Sequence, residues 1–320
     1  MKIKVGIVGY GNLGKSVEND VIFNKNFKLI AVFSKRNIIS KFGTRVENTS
    51  NINSFIGKID VLFLCGGSKS DIEKIIFDLA KNFNTINCFD THKNIYKISK
   101  TLDEICKKNK TISIMSCGWD PGIFSLIRTM FFSLGDQNPV TFWGKGISMG
   151  HSDAIRQIKN VDDAVQFTMP NREALNFYND NKMPSSNIAK HKRVCYVCAN
   201  KKFQNQIKFE ITNMPNYFKG QPTIIHFVSK SKVQKLKQNL SHKGIVLSNL
   251  TLPNEESCSL KFSLKMTSNA AFTARIMTVF CSAICNLKKE NSFGCFGVLD
   301  IPLSKLFSIG QLKQITHKLV

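Results

Sequence analysis

Three short stretches combine residue types that could do chemistry. Near the start, VGIVGYGNLGKS spaces Gly9, Gly11 and Gly14 as GxGxxG. That spacing suits a pyrophosphate. Gly9 permits a sharp strand-to-helix turn, Gly11 lets the backbone approach the phosphates, and Gly14 lets the helix pack on the strand, with its positive end toward the anion. Farther on, TINCFDTH ends in Asp90-Thr91-His92, a carboxylate, a hydroxyl and an imidazole in a row. Asp90 or Thr91 could equally cap the helix that follows. SCGWDPG then sets Trp119 and Asp120 in a turn bounded by Gly118 and Pro121. Glycine and proline account for the turn, but nothing in its geometry asks for an indole or a carboxylate.

These residues need elements to hold them. IKVGIV reads as a strand entering GYGNLG, whose intervening residues are Tyr10, Asn12 and Leu13, and KSVENDVIFNKN reads as the helix beyond it. This is the context in which a GxGxxG motif signals dinucleotide binding. The next strand, FKLIAVFS, ends in Ser34-Lys35-Arg36 with no acid. An acid there would hold a ribose 2'-hydroxyl, whereas a hydroxyl and two cations suit a 2'-phosphate, so NADP(H) is expected over NAD(H). A third strand, IDVLFLCGGS, ends in Cys65, Gly66, Gly67 and Ser68, and glycines there let a cofactor lie close to the backbone. TINCFDTH and TISIM supply further strands.

The pattern predicts an α/β protein: a Rossmann-type, doubly wound, mostly parallel sheet over residues 1–118, with the tail at about 295–320 a candidate to rejoin it. A second α+β domain is expected over 119–294. In it VQFTMP, KRVCYVCA, IKFEIT, PTIIHFVS, GIVLSNLT and SLKFSLKM read as strands of a largely antiparallel sheet, and AAFTARIMTVFCSAICNLKK as an apolar helix packing back toward the first domain.

Composition narrows the function classes. The formal charge of +23 could signal nucleic acid, but the lysines are dispersed among many Asn, Ile and Phe, and basic and aromatic residues do not interleave on one segment. No specific nucleic-acid partner is expected, and KSKVQKLKQN reads as a solvated surface segment. Only Cys195 and Cys198 of the ten cysteines form a CxxC, inside a strand-like run that points them to opposite faces. Free thiols, no metal site and a reducing, cytoplasmic location are therefore expected. The start lacks the pattern of a secretory signal, and no stretch reads as a membrane span.

At GWDPG the likeness becomes specific. VGYGNLGKSVE, SKR, VLFLCGGS, FDTHKNI, SCGWDPGIFSLIR, TFWGKGISMGHSDAIRQI, VQFTMP, HKRVC, MPNYFKG and NAAFTA closely resemble, in order, the meso-diaminopimelate D-dehydrogenase family. The resemblance implies NADP-dependent oxidative deamination at the D-centre of meso-2,6-diaminopimelate, with NADP contacts along the glycine-rich turn, Ser34-Lys35-Arg36, Cys65–Ser68 and Asp90-Thr91-His92. It puts Asp90 and Asp120 beside the reacting amine as candidate proton acceptors, Trp119 and Trp143 as walls, and Ser148, Met149 and Gly150 around the near carboxylate. Thr168, Arg193, His242 and Asn269 match the distal amino-acid end, and homodimerisation through the second domain is implied. The chain departs from the family in having Met149 where a Gln is frequent, Gly66 where a Met is frequent, and Leu240-Ser-His-Lys-Gly244, read as a turn, where the family is glycine-rich. Two rival readings are a broader D-amino-acid dehydrogenase and a non-catalytic NADP(H)-binding protein; retention of polar residues at the substrate positions argues against the latter.

Overall fold

The apolar runs of the N-terminal half become strands buried on both faces, as a parallel sheet covered by helices requires. The computed structural model describes residues 2–66, 73–89, 95–135, 138–179, 188–307 and 309–319. Two compact units emerge, Met1–Leu126 with Ala270–Val320, and Ile127–Asn269.

The first unit starts with β1 (Ile3–Val8), α1 (Asn12–Ile22), β2 (Phe27–Ser34) and β3 (Val46–Asn48). The chain then crosses β1 to β4 (Val61–Leu64), α2 (Glu73–Ala80), β5 (Asn84–Asn87), α3 (Ile95–Asn109), β6 (Ile112–Ile114) and α4 (Ile123–Ser133), and the unit boundary falls within α4. Every residue of β4, β5 and β6 is buried. β2 and β3 lie on one side of β1 and β4 to β6 on the other. The winding therefore reverses between β1 and β4, and in open α/β sheets ligands bind outside the carboxyl ends of strands at such a point. The expected doubly wound α/β architecture is present.

The second unit holds β7 (Val140–Trp143), β8 (Gly146–Ile147), α5 (Met149–Arg156), β9 (Val161–Pro170), α6 (Arg172–Asn179), β10 (His191–Ala199), α7 (Gln204–Asn213), β11 (Thr223–Phe227), α8 (Lys230–Lys237), β12 (His242–Thr251) and β13 (Ser257–Met266). Its strands form two sheets, ordered β11-β10-β9-β8 and β13-β12-β7. All pairs are antiparallel except β10 with β11.

Two local readings are corrected here. IKFEIT is not a strand but lies in α7: Ile207 and Ile211 are fully buried while Phe209 is 69% exposed, which is helical i, i+4 spacing and not alternation. Leu240–Gly244 is not a turn throughout, because His242, Lys243 and Gly244 open β12 and pair with Met266, Lys265 and Leu264 of β13.

The chain returns to the first unit through α9 (Asn269–Lys289), β14 (Gly294–Phe296) and α10 (Ile309–Leu319). β14 extends the parallel sheet beside β6. From Ala270 onward α9 groups with the first unit, so the boundary lies well before the expected 294. Physically, α9 buries ten residues, among them Ile276, Met277, Phe280, Cys281 and Ile284, and Asp20 of α1 pairs with Arg275 at 2.8 Å and accepts from the Thr278 hydroxyl. By length and composition α9 is apolar enough to cross a membrane, which the sequence reading had not anticipated, but its burial is that of a core helix.

Candidate active site

In the first unit, candidate residues gather at the carboxyl ends of the parallel strands. Gly9, with φ +91°, turns the chain from β1 into α1. A Cβ on Gly14 would lie 2.2 Å from the Gly9 carbonyl oxygen, so only glycine lets the helix sit this close to the turn. No side chain caps α1 at Gly11, and nothing lies within 4 Å of where a Gly11 Cβ would be. Open space over an uncapped helix N-terminus is a cradle for a pyrophosphate.

At the end of β2, buried Ser34 accepts the Arg36 N–H at 3.1 Å, while Lys35 and Arg36 are exposed. A cavity of about 340 Å³ opens here, lined by Tyr10, Lys15, Arg36, Asn37, Ile38 and Ile39. It offers two cations, and the described residues thus fit a phosphorylated dinucleotide. Cys65 is buried, and burial pushes its thiol well above the usual range; Gly66 is half-buried.

The WDPG turn follows the exit of β6. The Ser116 hydroxyl donates to the Phe89 carbonyl at 2.8 Å and the Cys117 N–H to the Asn87 carbonyl at 2.8 Å, tying this segment to the exit of β5. Within the turn the Gly118 N–H donates to the Pro121 carbonyl at 2.9 Å. Trp119 is buried edge-to-face on Phe124, and Asp120 is half-buried.

The second unit brings its candidates together by strand register. Arg193 on β10 lies opposite Thr168 on β9, and Thr168 lies opposite Gly146 on β8. The Arg193 guanidinium donates to the Thr168 hydroxyl at 2.7 Å, while its Nε has no hydrogen-bond partner among the described residues. Trp143 ends β7 opposite Gly244 of β12. The His242 ring fills the space beside Gly146, where a Cβ would come within 2.0 Å of its Cδ2. The Asn269 N–H donates to the Leu240 carbonyl at 2.9 Å. Ser148 accepts the Ser152 N–H at the start of α5, and its Oγ bonds His151 Nδ1 at 2.8 Å. Met149 is 53% exposed and Gly150 exposed at the same helix start.

Two further histidines belong to this cluster, and the sequence reading passed over them. His191 accepts the Trp143 backbone N–H on Nε2 at 2.8 Å and stacks on the indole with ring centroids 5.0 Å apart. It lies two residues from Arg193 on one strand, hence on the same face, and that spacing was a signal open to reading. His151, three residues from Ser148 on α5, was similarly legible. Burial, and then the Arg193 charge, lowers both imidazoles to about 4. Both are neutral at pH 7, and His191 carries its proton on Nδ1. Arg193 remains a desolvated cation, and among the described residues no carboxylate pairs with it. A half-buried guanidinium amid neutral donors and acceptors is suited to receive an anion, of which a carboxylate fits its fork.

Gly67, Ser68, Asp90, Thr91 and His92 lie outside the described residues.

Comparison with known proteins adds the following. The description "Diaminopimelic acid dehydrogenase C-terminal domain" matches residues 118–268. The chain is 37% identical to the meso-diaminopimelate D-dehydrogenase of Acetivibrio thermocellus over 94% of this chain and 93% of that one. It is 32% identical to the enzyme of that name from Corynebacterium glutamicum, with 93% of each chain covered. Among solved structures it is similar to the C. glutamicum DAP dehydrogenase in complex with DAP, with TM-score 0.93, 31% identity, and 100% of this chain and 99% of that one covered. It also resembles an engineered D-amino acid dehydrogenase bound to NADP+, with TM-score 0.90, 29% identity, and 98% and 99% covered.

Proposed function

The chain belongs to the meso-diaminopimelate D-dehydrogenase family, and from that premise we propose that it oxidatively deaminates the D-centre of meso-2,6-diaminopimelate. Substrate, NADP+ and water give L-2-amino-6-oxopimelate, ammonium, NADPH and a proton, and the reverse reaction makes a precursor of lysine and peptidoglycan. The observation that carries this reading is the desolvated Arg193–Thr168 pair, which answers the second carboxylate of a diacid.

NADP+ supplies the hydride acceptor, held by the Gly9–Gly14 turn, by Ser34, Lys35 and Arg36, and by residues 65–68 and 90–92. The protein's own work is orientation. The family likeness assigns Trp119 of the first unit and Trp143 of the second to the reacting end, and His191 holds Trp143 by accepting its backbone N–H and stacking on its indole. Ser148, with Met149 and Gly150, receives the near carboxylate at the start of α5. Arg193, Thr168, His242 and Asn269 hold the distal end. Asp120 or Asp90 takes the proton that the ammonium must lose before the hydride can leave, and water then attacks the imine.

The first unit is read as the cofactor domain and the second as the substrate and dimerisation domain. β13 supports the latter: its half-buried row Cys258, Leu260, Phe262 and Leu264 offers an apolar strip for a second copy. Ten free cysteines suit a reducing cytoplasm.

The test is NADPH absorbance from purified protein with NADP+ and meso-diaminopimelate, using the LL and DD isomers as controls. Turnover is expected with the meso isomer, with LL inert because it has no D-centre. Absence of turnover with meso-diaminopimelate overturns the reading. A second reading, a broader D-amino-acid dehydrogenase, is favoured by Met149, whose thioether at the exposed start of α5 cannot supply an amide's hydrogen bonds. Comparable turnover of apolar D-amino acids would select it.

A further inference from the structure

Between Ser34 and Val46 the chain forms neither helix nor strand, yet this loop carries Lys35 and Arg36 and lines the 340 Å³ cavity with Arg36, Asn37, Ile38 and Ile39. Apolar packing does little to fix it. Ile39 is 92% exposed, and Phe42 packs edge-to-face with Phe23, itself 73% exposed, with the Lys41 ammonium over the Phe42 ring. Ser40 is the only buried residue from 35 to 45, and what it reaches is a carboxylate.

That carboxylate is Glu18 of α1, fully buried. It accepts the hydroxyls of Ser40 at 2.5 Å and Thr44 at 2.6 Å from the loop, and the hydroxyl of Tyr10 from the glycine-rich turn. Among the described residues no cation forms an ion pair with it. The bonds continue outward. Tyr10 Oη accepts the Lys41 N–H at 2.8 Å, and Ser40 Oγ accepts the N–H groups of Phe42 at 3.2 Å and Thr44 at 2.9 Å. One buried, acceptor-only group thus ties the loop to the turn after β1, and Tyr10 also forms part of the cavity wall. A buried carboxylate is costly unless hydrogen-bonded, and here hydroxyls from two chain segments satisfy it.

We propose that Glu18 is a positioning residue for cofactor selection: by anchoring Ser40, Thr44 and Tyr10 it holds Lys35 and Arg36 where a 2'-phosphate would lie. Glu18 itself is fully buried, so it acts through the loop. In Glu18→Gln one acceptor becomes an amide donor facing hydroxyls, while size and shape stay the same.

This inference rests on the NADP reading, and the experiment separates the two. Calorimetric titration of the whole protein with 2',5'-ADP and with 5'-ADP measures the phosphate preference without turnover. In the unaltered protein 2',5'-ADP is expected to bind the tighter. In Glu18→Gln the preference is expected to fall about tenfold or more, with 5'-ADP affinity kept within about threefold, as the loss of aim for one charge-assisted contact implies. Ser40→Ala and Thr44→Val, each removing one loop donor, are expected to lower the preference in the same direction and guard against a folding failure of the Glu18 variant. Tryptic cleavage after Lys41 in the ligand-free protein is expected to speed up in all three. No preference in the unaltered protein overturns the NADP reading and this inference with it. A preference present there and undiminished in all three variants overturns the Glu18 inference alone.

Discussion

Replacing Arg193 by methionine separates the energetics of the site from those of the fold, because the two are expected to move in opposite directions. Arg193 is half-buried with its Nε shielded from water; it spends one donor on Thr168 at 2.7 Å, leaves Nε without a partner among the described residues, and has its pKa lowered by burial. Among the described residues no carboxylate pairs with this partly desolvated charge. Methionine has similar length and no charge, and Thr168 keeps the Gln166 amide at 3.4 Å. Replacing a buried charge by an apolar group of similar volume is neutral or stabilising, so Tm of Arg193→Met is expected to be unchanged or a few degrees higher. With the substrate the sign reverses. The distal carboxylate loses a charge-assisted partner in a partly desolvated site, a loss of about 2–4 kcal/mol, or roughly 30- to 900-fold in kcat/KM for meso-diaminopimelate. D-norleucine, which has no second carboxylate, should lose far less and could bind better. Steady-state kinetics on both substrates beside a thermal melt reads all three quantities. A fall in Tm with equal losses on both substrates would refute the reasoning, since it would make Arg193 a support of the fold and not a clamp.

Arg36→Ala is expected to weaken NADP+ binding about tenfold or more while leaving NAD+ binding nearly unchanged, as nucleotide titration can check; equal binding of both by the unaltered protein would remove the cofactor assignment. Acid should destabilise the protein through His151 and His191, whose native values of about 4 lie below the unfolded value of roughly 6.5. Their contribution is complete above pH 6.5 and is lost as pH falls from there toward 4, where the unfolded chain takes up protons that the native state refuses, up to about 3 kcal/mol for each imidazole. Urea unfolding across that range should show a slope that His191→Gln makes shallower, and an equally steep profile in the variant would count against it. Gly146→Ala should displace His242, with a stability loss of about 1–3 kcal/mol and a raised KM for the substrate, since the new methyl would collide with the ring; wild-type melting and KM would contradict the contact.

Much of the first unit was legible in the chain itself. A strand, a GxGxxG turn and a helix are local events, governed by backbone freedom at Gly9 and Gly14 and by apolar runs that only a sheet covered on both faces can absorb. The order of the family segments was legible too, because residue types at close spacing survive without knowledge of contacts. Where local patterns conflicted, tertiary packing decided. IKFEIT alternates like a strand, yet its buried pair is Ile207 and Ile211, and α9 groups with the first unit, with ten of its residues buried and Asp20, far back along the chain, meeting Arg275 and Thr278. The hydrogen-bond partners within the candidate site are of this kind. His191 of one sheet reaches the Trp143 N–H of the other, and Glu18 gathers Tyr10, Ser40 and Thr44 from separate segments. Spacing along a chain reveals which side chains share a face, but which acceptor a buried donor finds depends on how distant segments meet, and that is decided only when the core closes around them.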